Sequence, residues 1–250
     1  MGFLRISGGL GLQDVREAYR RTTLGPFWSA AGLGLQVVAI GLVFGFLSAA
    51  DLSEYFPFLA ISLALWNLVL SSLSEAPGVY AASERFLRQM QIPYFFPLVK
   101  LLSKTFMIFL HNLLVPLAVI IVFPPEWNFG VLWGVVGLAL LIGNLYWIVT
   151  LIAIAGARFR DLGPIVASVL TLMFYVTPII WMPSALPPET VGALLPYNPI
   201  FHLMEIVRGP LLGYPPAPES WLVAVGLMAV GNMAAWFVAK RQWWRVVYWL

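Results

Sequence analysis

Six apolar stretches, each long enough to cross a lipid bilayer, constrain the fold of this 250-residue chain more than any other feature. An α-helix rises about 1.5 Å per residue, so roughly 20 apolar residues cover a hydrocarbon core of about 30 Å. We therefore expect an all-α polytopic membrane protein with six transmembrane helices. The stretches are Trp28–Ala50, Phe56–Leu73, Thr105–Phe123, Val131–Ala157, Leu162–Pro183 and Trp221–Ala239.

The charge pattern predicts how these stretches are oriented. Six crossings put both chain ends on one side, and with the ends inside, 13 of the 14 Lys and Arg residues fall in cytoplasmic segments. Only Arg208 falls outside. Because Lys and Arg in short loops are retained in the cytoplasm, we predict a multi-pass plasma-membrane protein with both termini cytoplasmic.

Composition excludes several classes of function. Charged residues make up 10% of the chain, against about 25% in ordinary soluble domains, so a water-soluble fold is excluded. With no cysteine, the chain has no thiolate nucleophile, and no Gly is followed by Lys, so the usual phosphate-binding loop is missing. Neither histidine has a ligand set beside it, so we expect no metal. We expect His111, next to Asn112, to be neutral and held by a helix–helix hydrogen bond.

We expect residues 1–250 to form one transmembrane domain in three parts. Residues 1–27 contain an amphipathic helix, since Leu12, Val15 and Tyr19 share one helical face, and this helix should lie in the cytoplasmic interface. Residues 28–239 form the six-span bundle. Residues 240–250 form a basic, aromatic cytoplasmic tail.

The segment from Pro183 to Ser220 holds nine of the 19 prolines and two apolar runs that are too short to span. Asn198-Pro199 is a good helix start. We predict two short re-entrant or interfacial helices before the sixth span. Non-helical backbone at membrane depth must be buried in protein or line water, which favours a pore mouth or gate over an ordinary proline-rich loop.

Several motifs, in order along the chain, resemble those of ABC type-2 exporter permeases of the polysaccharide-export branch. Tyr19–Trp28 is similar to the sequence that precedes the first span in that family. Arg158–Leu162, followed by Thr177–Ile179, resembles the family's inner loop and fifth span. Asn198-Pro199 and Arg208 resemble its last outer segment.

The resemblance implies a homodimer of six-span subunits with two copies of a separate nucleotide-binding ATPase. ATP and Mg would be bound by that partner, with no cofactor and no enzyme activity in this chain. ATP-driven movement would push a lipid-linked glycan of the O-antigen, capsule or teichoic-acid type outward through a channel at the dimer interface.

By position, the resemblance places an ATPase-interface helix at Val15–Thr23 and a coupling helix at Ser83–Gln91. Each of these helices could instead contact only lipid headgroups. The implied interface residues are Val15, Tyr19, Arg20, Arg21, Leu24, Gly25, Ser83, Glu84, Arg85 and Arg88.

A glycan channel should carry aromatic rings, because the CH faces of sugars pack on them without fixed charge. Phe174 and Trp181 are seven residues apart and are expected on one helical face, and Pro178 should kink the fifth span. Each ring could instead belong to an interfacial belt or a packing contact. The channel candidates are Trp28, Phe44, Phe174, Tyr175 and Trp181.

Two polar groups complete the candidate sites. Orientation rules alone explain the inner-loop residues, which could also order the start of the fifth span or sense lipid phosphates. Arg208 defies the charge bias and is expected to pair with Glu205 at i,i+3 rather than with anionic groups of the substrate. The inner-loop candidates are Arg158, Arg160 and Asp161, and the outer-gate candidates are Asn198, Pro199, Glu205 and Arg208.

Two alternative functions stay open at this point. A drug or small-lipid exporter could use the same fold. A membrane-embedded acyl- or glycosyltransferase would need a convergent polar cluster near one leaflet, and the sequence contains no obvious one.

Overall fold

The computed structural model describes residues 25, 27–47, 51–84, 87, 93–126 and 130–250, and all regular secondary structure within these ranges is helical. Most of the predicted ATPase-interface residues lie outside the described residues: Val15, Tyr19, Arg20, Arg21, Leu24, Arg85 and Arg88.

The described helices follow one another through short connections, and short 3₁₀ turns lie at Ala76–Gly78, Pro183–Ala185 and Leu195–Tyr197. The α-helices are α1 (Phe27–Leu47), α2 (Leu52–Glu75), α3 (Val79–Ala82), α4 (Phe95–Asn112), α5 (Leu114–Val122), α6 (Val131–Arg158), α7 (Leu162–Val176), α8 (Pro188–Leu194), α9 (Pro199–Leu211) and α10 (Pro218–Trp249).

Five helical stretches are long and apolar enough to cross a membrane, which confirms an all-α polytopic membrane protein. The predicted fifth span, Leu162–Pro183, differs: its helix α7 has 15 residues and covers only about 22 Å. Thr177 is extended, with φ −85° and ψ 137°, because a residue that precedes proline is disfavoured in the helical region. Pro178 therefore ends the helix, and the predicted kink at this proline is wrong. The crossing stretches are Phe27–Gly45, Leu52–Ala82, Phe95–Val122, Val131–Arg158 and Pro218–Val246.

Helix α2 is the centre of the bundle. Most of its side chains are buried, and it packs against α1, α4, α5, α6, α7 and α9. Helices in lipid associate through close packing and interhelical hydrogen bonds, because the lipid is as apolar as their side chains. One such bond joins the buried hydroxyls of Ser72 on α2 and Thr105 on α4, at 2.9 Å.

The predicted third span is interrupted at Leu113, between α4 and α5. Pro116 has no N–H to donate to the carbonyl four residues earlier, which is that of Asn112. The Asn112 side chain accepts a hydrogen bond from Ser29 of α1 at 2.8 Å. His111 is bonded through Nδ1 to the Met107 carbonyl of its own helix, at 2.8 Å, so the predicted helix–helix bond of His111 is wrong.

Helix α6 packs against α9 and α10 through glycine and asparagine. A Cβ atom at Gly137 would overlap the main-chain carbonyl of Ile206 on α9. Asn144 donates to the Ala224 carbonyl at 3.0 Å, and Asn232 donates to the Gly143 carbonyl at 3.1 Å. These amides link α6 and α10 at two levels.

The two ends of the bundle differ in chemistry. At one end, Lys104 pairs with Glu75 at 2.7 Å, and the Arg158 guanidinium lies 5.6 Å from the Trp249 ring centroid. We call this the basic end. Residues 240–249 belong to α10 and continue its helix. The opposite, proline-rich end brings together the start of α2, the α5–α6 loop and the segment from Pro183 to the start of α10.

We predict that Gly137→Ala destabilises the protein by about 1–3 kcal/mol, because the added methyl group meets rigid backbone rather than a movable side chain. Gly226→Ala is the matched control, since a Cβ on Gly226 of α10 meets nothing within 4 Å. Fluorescence-detected thermal unfolding of the purified protein measures both. Equal unfolding midpoints for the two variants would contradict the close α6–α9 contact.

Candidate functional site

The chain leaves helical geometry after Val176 and runs through Thr177–Met182 without regular structure. Thr177, Pro178 and Ile179 of this segment are buried. Backbone groups that leave a helix at such depth need other partners, because each unsatisfied buried group costs free energy. The partners of this segment form the best-defined polar site of the bundle.

Side chains from α2, from the N-cap residue of α9 and from the last turn of α9 supply these partners. The Tyr55 hydroxyl donates to the Ile180 carbonyl at 2.6 Å, and Arg208 Nη1 donates to the Pro178 carbonyl at 2.5 Å. Asn198 Nδ2 donates to the Thr177 hydroxyl at 2.9 Å. The non-helical segment is thereby held between α2 and α9.

Arg208 is completely buried, and every part of its guanidinium has a partner. Nε and Nη2 donate to the same carboxylate oxygen of Glu205, and Nη1 also donates to Ser62 at 3.0 Å. The guanidinium carbon lies 4.3 Å from the Phe58 ring centroid. The predicted pair with Glu205 is present. A buried arginine is tolerated when its charge and its donors are matched in this way.

Asn198 has two roles at the start of α9. Its side-chain oxygen accepts from the N–H groups of Ile200 and Phe201, at 3.0 and 3.1 Å, which is an N-cap. Pro199 occupies the first helical position, where its missing N–H costs nothing. The two predicted short helices before the last span are therefore present, as α8 and α9.

The structure brings only some of the aromatic channel candidates together. Phe44 and Trp181 line one cavity of about 210 Å³, and Tyr55 also belongs to its lining. Trp181 is not helical, so its predicted shared helical face with Phe174 is wrong; its indole N–H instead donates to the Tyr175 carbonyl at 3.0 Å. Phe174 packs against Trp66 of α2, with ring centroids 5.7 Å apart.

The remaining candidates of this group differ in place. Tyr175 is 63% exposed on α7. Trp28 is exposed at the first turn of α1, about 24 Å along the helix from Phe44. Trp28 and Phe44 therefore belong to opposite ends of the bundle.

At the basic end, the start of the predicted coupling helix is partly described. The Ser83 carbonyl accepts from the Leu87 N–H at 3.0 Å, which is one helical turn. Just before it, the Tyr80 ring lies 6.0 Å from Trp243 of α10, and Tyr94 lies 5.8 Å from the same ring. Trp243 of α10 thus contacts one residue that precedes this segment in the chain and one that follows it.

The inner-loop candidates are solvent-exposed. Arg158 ends α6 and lies over the Phe159 ring at 5.2 Å. Asp161 precedes α7 without a side-chain capping bond. Arg160 and Asp161 are exposed at the basic end. Gly25, a predicted ATPase-interface residue, precedes α1 and has a positive φ of 56°.

Comparison with known proteins agrees with this architecture. Residues 10–212 match the family described as ABC-2 type transporter. The chain belongs to the ABC-2 type transporters. This confirms the family predicted from the motifs, and it makes the chain part of a transporter rather than an enzyme.

Relatives of this transporter carry the name O-antigen export system permease protein RfbA. The protein of that name from Myxococcus xanthus is 29% identical over 92% of this chain and 90% of its own length. Two from Klebsiella pneumoniae are 26% and 27% identical, over 81% and 75% of this chain and 80% and 73% of their own lengths. All three come from the branch that the motifs predict.

Sequence reasoning missed several residues that hold the transporter's non-helical segment. Tyr55, Phe58 and Ser62 lie at i, i+3 and i+7 on α2, which is one helical face. The signal in the sequence was the hydroxyl groups of Tyr55 and Ser62, which share this face within an otherwise apolar run. His202 was also missed: its ring bridges the Ser220 hydroxyl at 2.9 Å and the Pro196 carbonyl at 3.0 Å.

Tyr214 lies in the α9–α10 loop, next to the Glu205–Arg208 pair. Burial, and then the negative charge of Glu205, raise the pKa of the Tyr214 phenol. The phenol therefore stays protonated at neutral pH and can act as a hydrogen-bond donor.

We predict that Arg208→Met destabilises the transporter by about 3–5 kcal/mol, because it leaves Glu205 as an unpaired buried charge and the Pro178 carbonyl without its donor. The double variant with Glu205→Gln should lose less than Arg208→Met alone. The control is Arg160→Met at the exposed inner loop, with a change within about 0.5 kcal/mol. Thermal unfolding of the purified variants measures all three, and equal stability of the Arg208 and Arg160 variants would contradict the assignment.

Proposed function

We propose that this chain is the permease subunit of an ATP-driven exporter that moves a lipid-linked polysaccharide outward across the bacterial plasma membrane. The substrate would be of the O-antigen, capsule or teichoic-acid type. The similarity to O-antigen export permeases along most of both chains carries this proposal. It is the observation that favours a glycan over a drug or a small lipid.

The energy would come from a separate ABC ATPase, which binds ATP and Mg. The sequence contains no phosphate-binding loop of its own. Docking would involve the predicted interface helix at Val15–Thr23 and the coupling helix at Ser83–Gln91. The packing of Trp243 against Tyr80 and Tyr94 supports a mechanical role, because it connects the coupling segment to the long helix α10.

The permease would act as a homodimer, with the path between the two copies. Gln36 on α1 is exposed and Asn67 on α2 is half-buried, and their side-chain amides have no hydrogen-bond partner among the residues that the structure describes. An amide left in hydrocarbon without a partner costs several kcal/mol. On the neighbouring α7, Ser168, Thr171 and Tyr175 are exposed and share one face. Water in a path, or polar groups of a second copy, would supply hydrogen-bond partners for these side chains.

The basic end would face the cytoplasm. Among the described residues, Arg208 is the one cation of the proline-rich end and is buried, whereas Lys and Arg collect at the basic end. This asymmetry is typical of cytoplasmic retention. A sixth crossing, formed by α7 and completed by Thr177–Met182, would bring both chain termini to the cytoplasmic side.

Export in cells tests the proposed function. Deletion of the chain should abolish the surface polysaccharide and leave its lipid-linked form inside, and restoration should require both this chain and a hydrolysis-competent ATPase. The purified permease alone should hydrolyse no ATP. ATP hydrolysis by the isolated chain, or unchanged surface glycan after deletion, would contradict the proposal; the second outcome would favour a drug or small-lipid exporter.

Cysteine cross-linking tests the homodimer. The chain has no native cysteine, so Leu172→Cys on α7 gives a single reactive thiol without background. We expect a cross-linked dimer in membranes for Leu172→Cys, and none for the matched control Leu222→Cys on α10, since both leucines are well exposed. Cross-linking at position 222 but not at position 172 would show that the dimer interface lies at α10, and would contradict its proposed location at α7.

A further inference from the structure

A cavity of about 870 Å³ opens at the proline-rich end of the bundle, next to the smaller cavity of Phe44 and Trp181, with which it shares Met182 and Ser184. We call it the rim cavity. Its wall combines the start of α2, residues 122–126 after α5, residues 182–184, Glu205 of α9 and the start of the α9–α10 loop. Its volume lies within the range of about 300–1,000 Å³ that is typical of small-molecule sites.

Two aromatic rings of the rim cavity are held in place. Phe123 is stacked on Phe56, with ring centroids 5.7 Å apart and an angle of 16° between the planes. Tyr214 follows Gly213, whose φ is +89° and whose Cα faces the Glu126 carbonyl too closely for any side chain. The α9–α10 loop is thereby fixed against the α5–α6 loop, with Tyr214 in the cavity wall.

The charges of the rim cavity all have one sign. Glu54, Glu126 and Glu205 line it, and the described residues of its lining include no Lys or Arg. The charge of Glu205 is matched by Arg208, which is buried and does not line the cavity. Within the described part of the chain, Glu54 and Glu126 have no cationic partner. Two carboxylates on separate elements are therefore free to act on whatever occupies the cavity.

We propose that the rim cavity binds a short stretch of uncharged glycan, and that its carboxylates weaken the binding of acidic sugars. This inference rests on the proposed export function and narrows its substrate class. Sugar CH faces would pack on Phe123 and Tyr214, and sugar hydroxyls would donate to the carboxylates of Glu54 and Glu126. A charge-assisted hydrogen bond of this kind is about twice as strong as a neutral one.

Electrostatics sets the direction of the discrimination. A uronate or phosphate group in the cavity would face two like charges, and the repulsion between partly screened charges a few ångströms apart is worth on the order of a tenfold loss of affinity. The neutral phenol of Tyr214 adds a donor but no charge. An uncharged glycan meets none of this repulsion.

Binding to the full chain in nanodiscs of zwitterionic lipid tests the subsite. The probes are maltopentaose, which is neutral, and pentagalacturonate of the same length at pH 7, detected by saturation-transfer NMR. We expect maltopentaose to bind about tenfold more tightly at low salt. The preference should shrink on going from 0.01 to 0.1 M salt, because the Debye length falls from about 30 to about 10 Å.

Matched variants assign the effect to the cavity. The double variant Glu54→Gln with Glu126→Gln should bring the two affinities within about threefold of each other. The control pair Glu189→Gln with Glu219→Gln removes the same charge from the same end, outside the cavity lining, and should leave the preference unchanged. Phe123→Leu should weaken both probes alike, by about threefold or more.

Equal or tighter binding of pentagalacturonate would overturn the inference. Absence of maltopentaose binding, or an equal effect of the control pair on the preference, would also overturn it. The experiment contains no ATPase and no nucleotide. If the wild-type chain shows no preference for maltopentaose but cells still export the glycan, the subsite alone is refuted. If the preference is present but cells export no glycan, the proposed function alone is refuted.

Discussion

The ion pair of Glu205 and Arg208 is the interaction on which the proline-rich end depends. A membrane bundle can contain non-helical backbone only where side chains replace the lost helical hydrogen bonds. Arg208 does this for the Pro178 carbonyl, and its charge is matched by Glu205 and by the ring of Phe58. Without a buried donor of this kind, α7 could not end halfway and turn into Thr177–Met182.

Close approach of the helices makes this arrangement possible. The absence of a side chain at Gly137 lets α9 lie directly on α6, and α9 carries Glu205 and Arg208. Asn144 and Asn232 attach α10 to α6 as well. Small residues and interhelical amides replace the hydrophobic driving force that lipid cannot supply. The helices α2, α6 and α9 are therefore closely packed, while α1 and α7 present exposed surfaces.

This division suits a permease that works between two copies. The closely packed part holds the segment that shapes the proline-rich end. The exposed helices α1 and α7 carry polar and aromatic side chains that, in the proposed dimer, would face a second copy or a path. The basic end connects through Trp243 to the segment where the ATPase would dock. A force applied at the coupling segment would thus reach α10, and through its packing on α6 the rest of the bundle.

The membrane fold, the short helices α8 and α9, and the pair of Glu205 with Arg208 were all predicted correctly from sequence patterns, and the family was predicted from the resemblance of its motifs. Hydropathy, charge bias and an i,i+3 spacing are local properties, so they could be read without coordinates. Two features came from the three-dimensional packing alone: α7 ends at Val176, and Trp181 does not share a helical face with Phe174. The reason is physical: a helix before proline can either kink or end, and the choice depends on whether distant side chains, here Tyr55 and Arg208, can take over the freed carbonyl groups.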